Sequence, residues 1–148
     1  MKEYVKVKAK ILLVEDNAAD IRLTQEVLQE NNIVNTLDVV RDGAEAIQFL
    51  TKQGKYSNVD KPNLILLDLN LPKRNGFFVL EEIKKHEELK RIPIVILTVS
   101  DAKEDLIKAY NLHANCYVIK PLEMKQFSKI INSIVNFWFT IVKQFNDE

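Results

Sequence analysis

The stretch Leu64-Ile65-Leu66-Leu67-Asp68 constrains this chain more than any other. It lies between Pro62 and Pro72, is apolar at four successive positions, and runs directly into an aspartate. A run with no polar alternation reads as a strand buried on both faces, which requires a layer of structure on each side of its sheet. A carboxylate at the C-terminal end of such a strand lies at the edge where open parallel sheets bind ligands. Asp68 is therefore the first candidate for chemistry.

The same pattern recurs along the chain. Residues 10–14 are an apolar run ending in Glu15-Asp16, residues 93–98 end in Thr98, and residues 116–119 end in Lys120-Pro121, while residues 36–40 read as a short second strand. Helical patterns separate them. Asn17 or Asp16 can cap the first helix, with Asp20 in its first turn and Ile21, Thr24, Val27 and Leu28 at helical spacing up to Asn31-Asn32. Asp42 and Glu45 stand at capping-box spacing before a second helix that carries Ala44, Ile47, Phe49 and Leu50 to about Lys52. Residues 54–62 read as a polar loop. Asn75-Gly76 opens a third helix, whose apolar face is Phe78, Val79, Leu80 and Ile83. Asp101 is expected to cap a fourth, through Leu106, Ala109, Tyr110 and Leu112. One long final helix is expected over residues 122–145. Strand and helix alternate five times, which means βαβ units, a parallel sheet and right-handed crossovers. The expected fold is a doubly wound, flavodoxin-like (βα)5 sandwich of strand order 2-1-3-4-5, with its ligand crevice beside strands 1 and 3. Residues 1–9 read as an N-terminal extension and residues 10–148 as one domain.

Composition narrows the function. Lys plus Arg and Asp plus Glu both number 21, so no global field favours DNA or an anionic membrane. Cys116 is the only cysteine, so no intrachain disulfide can form, which fits a reducing, cytoplasmic setting. The first eight residues alternate charge and apolarity, unlike a signal peptide. Lys129, Asn132 and Lys143 interrupt the final apolar stretch, so it is not expected to span a membrane.

In the 2-1-3-4-5 order, the strand ends bring Glu15, Asp16, Asp68, Thr98 and Lys120 to one crevice. Three carboxylates repel each other unless a cation lies among them. Carboxylates, a carbonyl and waters suit Mg²⁺, with Mn²⁺ able to substitute. His86, His113 and Cys116 have no zinc-ligand spacing. An acid pocket holding a metal, with a lysine and a hydroxyl beside it, suits a phosphoryl group, and a carboxylate can attack it.

With these motifs the chain resembles the CheY-like receiver domain of two-component response regulators over about residues 9–135. The resemblance rests on Leu13-Val14-Glu15-Asp16-Asn17, on Leu66-Leu67-Asp68-Leu69-Asn70-Leu71-Pro72 with Gly76, on Pro93-Ile94-Val95-Ile96-Leu97-Thr98, and on Tyr117-Val118-Ile119-Lys120-Pro121. It implies a single-domain regulator in which Asp68 accepts a phosphoryl group from a sensor histidine kinase. It further implies that Asp16 holds Mg²⁺ directly, Glu15 through water, and the backbone carbonyl of Asn70 as a further ligand. Lys120 would pair with phosphoryl oxygens, and its bond to Pro121 would be cis. Thr98 would turn its hydroxyl toward the phosphoryl group as Tyr117 swings from exposed to buried, altering the surface of helix 4, strand 5 and helix 5. The group Asp68-Leu69-Asn70-Leu71-Pro72-Lys73, Ile92-Pro93, Ala109-Tyr110, Cys116-Tyr117 and the Trp138 helix is similar to stand-alone regulators paired with cyanobacterial and bacterial phytochromes. Val99, bulkier than the residue many receivers carry after the threonine, is expected to narrow access to Asp68 and to slow phosphorylation by small donors.

The final helix is longer than a cover for strand 5 needs. Phe127, Ile130, Ile131, Ile134, Val135, Trp138, Ile141, Val142 and Phe145 form one broad stripe, Phe137 widens it, and Phe139 is expected to lie off it. Residues beyond about Val135 are expected to overhang and to form a homodimer through helix 4, strand 5 and helix 5, with Tyr110, Phe127, Trp138 and Phe145 at the interface. The alternative is a tail folded back on the domain. Two other functions compete. A metal-dependent phosphatase with an aspartyl nucleophile needs a second acid two residues later, where this chain has Asn70. A flavodoxin-type carrier needs a phosphate-binding first loop, where this chain has Glu15-Asp16. The expectation is a phosphoacceptor with at most slow self-dephosphorylation, not an enzyme.

Overall fold

The computed structural model describes residues 9–31 and 35–141. Five parallel strands, β1 (Ala9–Val14), β2 (Asn35–Val40), β3 (Leu64–Leu67), β4 (Ile94–Thr98) and β5 (Cys116–Ile119), form one sheet of order β2-β1-β3-β4-β5. The five helices are α1 (Ala18–Glu30), α2 (Gly43–Leu50), α3 (Gly76–Lys84), α4 (Lys103–Asn111) and α5 (Met124–Asn136). This is the doubly wound fold the alternation predicts.

Side chains alternate across each strand and feed two cores. Leu12, Val14, Ile65, Leu67, Ile94 and Ile96 meet α2, α3 and Ala109 of α4 on one face. Ile11, Leu13, Leu64, Leu66, Val95 and Leu97 meet α1 and α5 on the other. All four residues of β3 are fully buried, as a strand covered on both sides must be.

The helix starts follow local chemistry. Asn17, Asp42 and Asn75 each accept a hydrogen bond from the backbone N–H three residues on, capping α1, α2 and α3. The fourth helix departs from expectation. Its N-cap is Ala102, and Asp101 makes no cap bond. Ser100 instead donates its hydroxyl to Asp105 at 2.5 Å, in the first turn of the helix, which anchors that end from the preceding loop. Only Ala109 of α4 is buried, whereas Leu106 and Tyr110 are exposed, because β5 is an edge strand that the helix covers only in part.

The C-terminal element also differs. The α-helix ends at Asn136 and continues as a π-helical turn, Phe137–Ile141. Phe127, Ile131, Val135 and Phe139 follow one another at intervals of four, and all four are buried. An α-helix drifts by about 40° over each such interval. The wider π turn cancels that drift, so Phe139 points inward rather than off the stripe. Trp138 is half-buried and packs on the same core, while Phe137 is exposed. The chain therefore hugs the domain through Phe139 instead of overhanging after Val135. Val142 and Phe145 lie outside the described residues, as does most of the 1–9 extension.

Candidate functional site

The sheet itself delivers the site residues. Hydrogen bonding continues one residue past three strands: Glu15 N–H donates to Val40 O at 3.0 Å, Asp68 N–H to Val14 O at 3.0 Å, and Lys120 N–H to Thr98 O at 2.7 Å. Each side chain thus leaves a backbone fixed by the last rung of its ladder. Gly76 secures the loop after β3. Its N–H donates to Leu69 O at 3.0 Å, and a Cβ there would stand 2.5 Å from Asp68 O and 2.8 Å from Leu69 Cα.

Lys120 is the hub. Its ammonium pairs with Glu15, with Asp68 Oδ2 at 3.0 Å and with Asp20 Oδ2 at 2.9 Å. Three N–H bonds thereby meet three carboxylates. Glu15, Asp68 and Lys120 are buried, whereas Asp16 and Asn70 are exposed at the mouth. The N–H of Asn70 donates to Asp68 Oδ1 at 3.0 Å, fixing the second carboxylate oxygen. Asp20 is the member that sequence reasoning missed. It was legible as a first-turn acid, and its place one turn into the helix that starts at the site edge was the available signal.

The electrostatics show a deficit of positive charge. Burial and the adjacent Asp68 carboxylate push the Glu15 pKa up to about 9, and Lys120 only partly offsets them. Burial also tends to raise Asp68, but the neighbouring Glu15 side chain, the Asn70 N–H bond and the Lys120 charge hold it below the usual carboxylate value. Burial disfavours the Lys120 cation, yet its bonds to Glu15 and Asp20 raise its pKa further. Glu15 Oε2 is buried without a hydrogen-bond partner. Carboxylate oxygens of Glu15, Asp16 and Asp68 all lie within 4.8 Å of one another. An orphaned buried oxygen beside two other carboxylates fits a hard dication that prefers oxygen ligands.

Thr98 is fully buried, and its hydroxyl accepts from Asn70 Nδ2 at 3.4 Å, so Asn70 stands between Thr98 and Asp68. Tyr117 is half-buried and donates its hydroxyl to Ser100 O at 2.9 Å, tying β5 to the loop after β4. Val99 is 61% exposed at the same edge. Every described peptide bond is trans, so the expected cis bond before Pro121 is absent. Trans is intrinsically favoured by about 0.5–1 kcal/mol, and the ladder reaches Lys120 with that bond in place. Of the expected interface residues, Tyr110 is exposed and Trp138 half-buried. Phe127 is 4% exposed and spent on the domain's own core, so it has no face to offer a partner.

Comparison with known proteins agrees with this geometry. The model of the response regulator receiver domain matches residues 11–132. Response regulator Rcp1 of Synechocystis sp. is 52% identical over 132 residues, covering 89% of this chain and 90% of that protein. The phosphorylated cyanobacterial phytochrome response regulator RcpA superposes with a TM-score of 0.92 at 45% identity, covering 95% of this chain and all of that one. The Mn²⁺-bound form of Rcp1 gives a TM-score of 0.89 at 49% identity, covering 93% of this chain and 99% of that one. Sheet order, strand-end residues and these likenesses converge: the chain belongs to the response regulator receiver domain family, and within it is similar to phytochrome response regulators.

Proposed function

We propose that Asp68 accepts a phosphoryl group from a phosphohistidine on a sensor histidine kinase, and that the kinase is of phytochrome type. The observation that carries the reading is the Lys120 hub, with the partnerless Glu15 Oε2 and the Glu15, Asp16 and Asp68 carboxylates around it. An Asp68 carboxylate oxygen attacks phosphorus, the P–N bond breaks, and the imidazole nitrogen leaves with the electron pair. Lys120 is placed to neutralise phosphoryl oxygens as the new O–P bond forms. Asn70 N–H holds the other Asp68 oxygen and so aims the attacking one. Glu15, Asp16, Asp68 and the Asn70 carbonyl would hold Mg²⁺, which supplies charge neutralisation at the transferring group; Mn²⁺ could substitute. Asn70 cannot protonate a leaving group, which favours storing the phosphoryl group over turning over phosphomonoesters.

Phosphorylation adds about −1.5 to −2 of charge at the sheet edge. In this reading Thr98 leaves Asn70 for a phosphoryl oxygen, the loop through Ser100 follows, and Tyr117 moves with it. That would change the face made by α4, β5 and the start of α5. Leu106, Ile107, Tyr110, Ile119, Leu122 and Met124 are exposed there, which supports a homodimer as the output, in a cytoplasmic protein that does not bind DNA. The likeness to RcpA and Rcp1 supports the phytochrome pairing. Incubation with ³²P-labelled histidine kinases tests the proposal. Mg²⁺-dependent label is expected on the wild type and not on Asp68→Asn; labelled Asp68→Asn, or no transfer from any kinase of phytochrome type, would overturn it. Tyr110→Asp with Ile119→Asp should convert a dimer to a monomer by light scattering, and an unchanged mass would remove the dimer.

A further inference from the structure

We infer that Asp20 is a positioning residue that holds the Lys120 ammonium in place while its other partners change; this rests on the phosphoacceptor reading of Asp68. Lys120 has three carboxylate partners, and two of them have other work in that reading. Glu15 and Asp68 belong to the group of oxygens that fits a cation, and Asp68 gives up its full charge when the O–P bond forms. Asp20 is not in that group. It is the one acid free to stay on the lysine throughout.

The local structure suits this task. Asp20 N–H is held by the Asn17 side chain at 3.0 Å, and Asp20 O accepts from the Thr24 hydroxyl at 2.8 Å. Thr24 is itself buried, at 1% exposure. Both backbone groups of Asp20 are thus clamped within the first turns of α1, and its carboxylate meets Lys120 Nζ at 2.9 Å from a rigid base. A lysine has a flexible four-carbon stem, so a fixed anion beside its head determines where the charge sits. Without Asp20, the ammonium would follow Glu15 toward the cation site or swing outward as Asp68 is modified.

The test compares wild type, Asp20→Asn and Asp20→Glu, with phosphoramidate as donor at saturating Mg²⁺. Asp20→Asn should lower the phosphorylation rate constant about tenfold, the scale of one charge-assisted hydrogen bond. The midpoint of a Mg²⁺ titration should stay close to wild type, because Asp20 is not a metal ligand. Asp20→Glu, which keeps the charge, should recover part of the rate. The ¹⁵Nζ signal of Lys120, recorded with Mg²⁺ and beryllofluoride, should be sharp in wild type and broadened in Asp20→Asn. A merely structural role would lower the melting temperature but leave the rate and the Lys120 signal unchanged, and that outcome overturns the inference. Equal rates in the Asn and Glu variants also overturn it. If the wild type takes no label on Asp68, the phosphoacceptor reading falls first and this inference with it.

Discussion

Replacing Gly76 with alanine should injure fold and site together. The added Cβ would stand 2.5 Å from Asp68 O and 2.8 Å from Leu69 Cα. Both are backbone atoms, so no rotamer change relieves the contact, and the β3–α3 loop must move by several tenths of an ångström. Alanine also brings gains: better helix propensity at the first residue of α3 and a less disordered unfolded chain, together worth up to about 1 kcal/mol. Overpacking against fixed backbone costs about 1–3 kcal/mol, so the clash wins. The net loss should be about 1–2 kcal/mol, which in a domain of this size lowers Tm by roughly 2–8 °C. The larger effect should be chemical. The displaced atoms belong to Asp68 itself, and misplacement on the order of 1 Å can cost about a hundredfold in rate. Urea unfolding followed by Trp138 fluorescence gives the first quantity, and Mg²⁺-dependent phosphorylation of the variant gives the second. A Gly76→Ala protein of wild-type stability that phosphorylates at the wild-type rate would refute the claim that this close approach positions Asp68.

Glu15 gives a pH signature. Its raised pKa contributes stability that is fully present below the ordinary value of 4.5 and is lost as pH rises toward about 9. Asp68, held low, contributes in the opposite sense, losing its share as pH falls below the ordinary 3.8. Mg²⁺ must displace the Glu15 proton, so its affinity should rise between pH 6 and 8.5 by up to about tenfold per unit, with proton release on binding visible by calorimetry in buffers of different ionisation enthalpy. A pH-independent affinity would contradict this. Val99→Ala should be phosphorylated faster than wild type by acetyl phosphate, because Val99 stands exposed beside Thr98; a slower variant would show that Val99 is not a barrier. Phe139→Ala should cost about 3–5 kcal/mol by chemical denaturation, the scale of a buried phenylalanine, while Phe137→Ala costs far less. Equal costs would place the π turn's inward face wrongly.

The parts of the fold that sequence conveys are those set by periodicity. Apolar runs mark most of the strands, alternation with helices gives a parallel sheet whose simplest order is 2-1-3-4-5, and polar residues ending the runs locate Glu15, Asp68, Thr98 and Lys120 at one edge. Contacts made across the fold by ordinary-looking residues were not legible. Asp20 looks like any first-turn acid until β5 brings Lys120 to it, 100 residues away in sequence. Phe139 looks off-stripe at α-helical spacing, and nothing local announces the wider turn at Phe137–Ile141. Tyr110 and Leu106 fit a helical face, but how much of that face β5 covers depends on its being an edge strand. Phe127 belonged to the same apolar stripe as Trp138, and only packing tells a core residue from an interface residue.

The central claim is that Asp68 carries the phosphoryl group. The most direct test is to phosphorylate the protein with Mg²⁺ and phosphoramidate, reduce the acyl phosphate with borohydride, and locate the resulting homoserine by peptide mass spectrometry. The account predicts homoserine at position 68 alone, lost when Mg²⁺ is chelated. Modification at another residue, or equal yield without Mg²⁺, would contradict it.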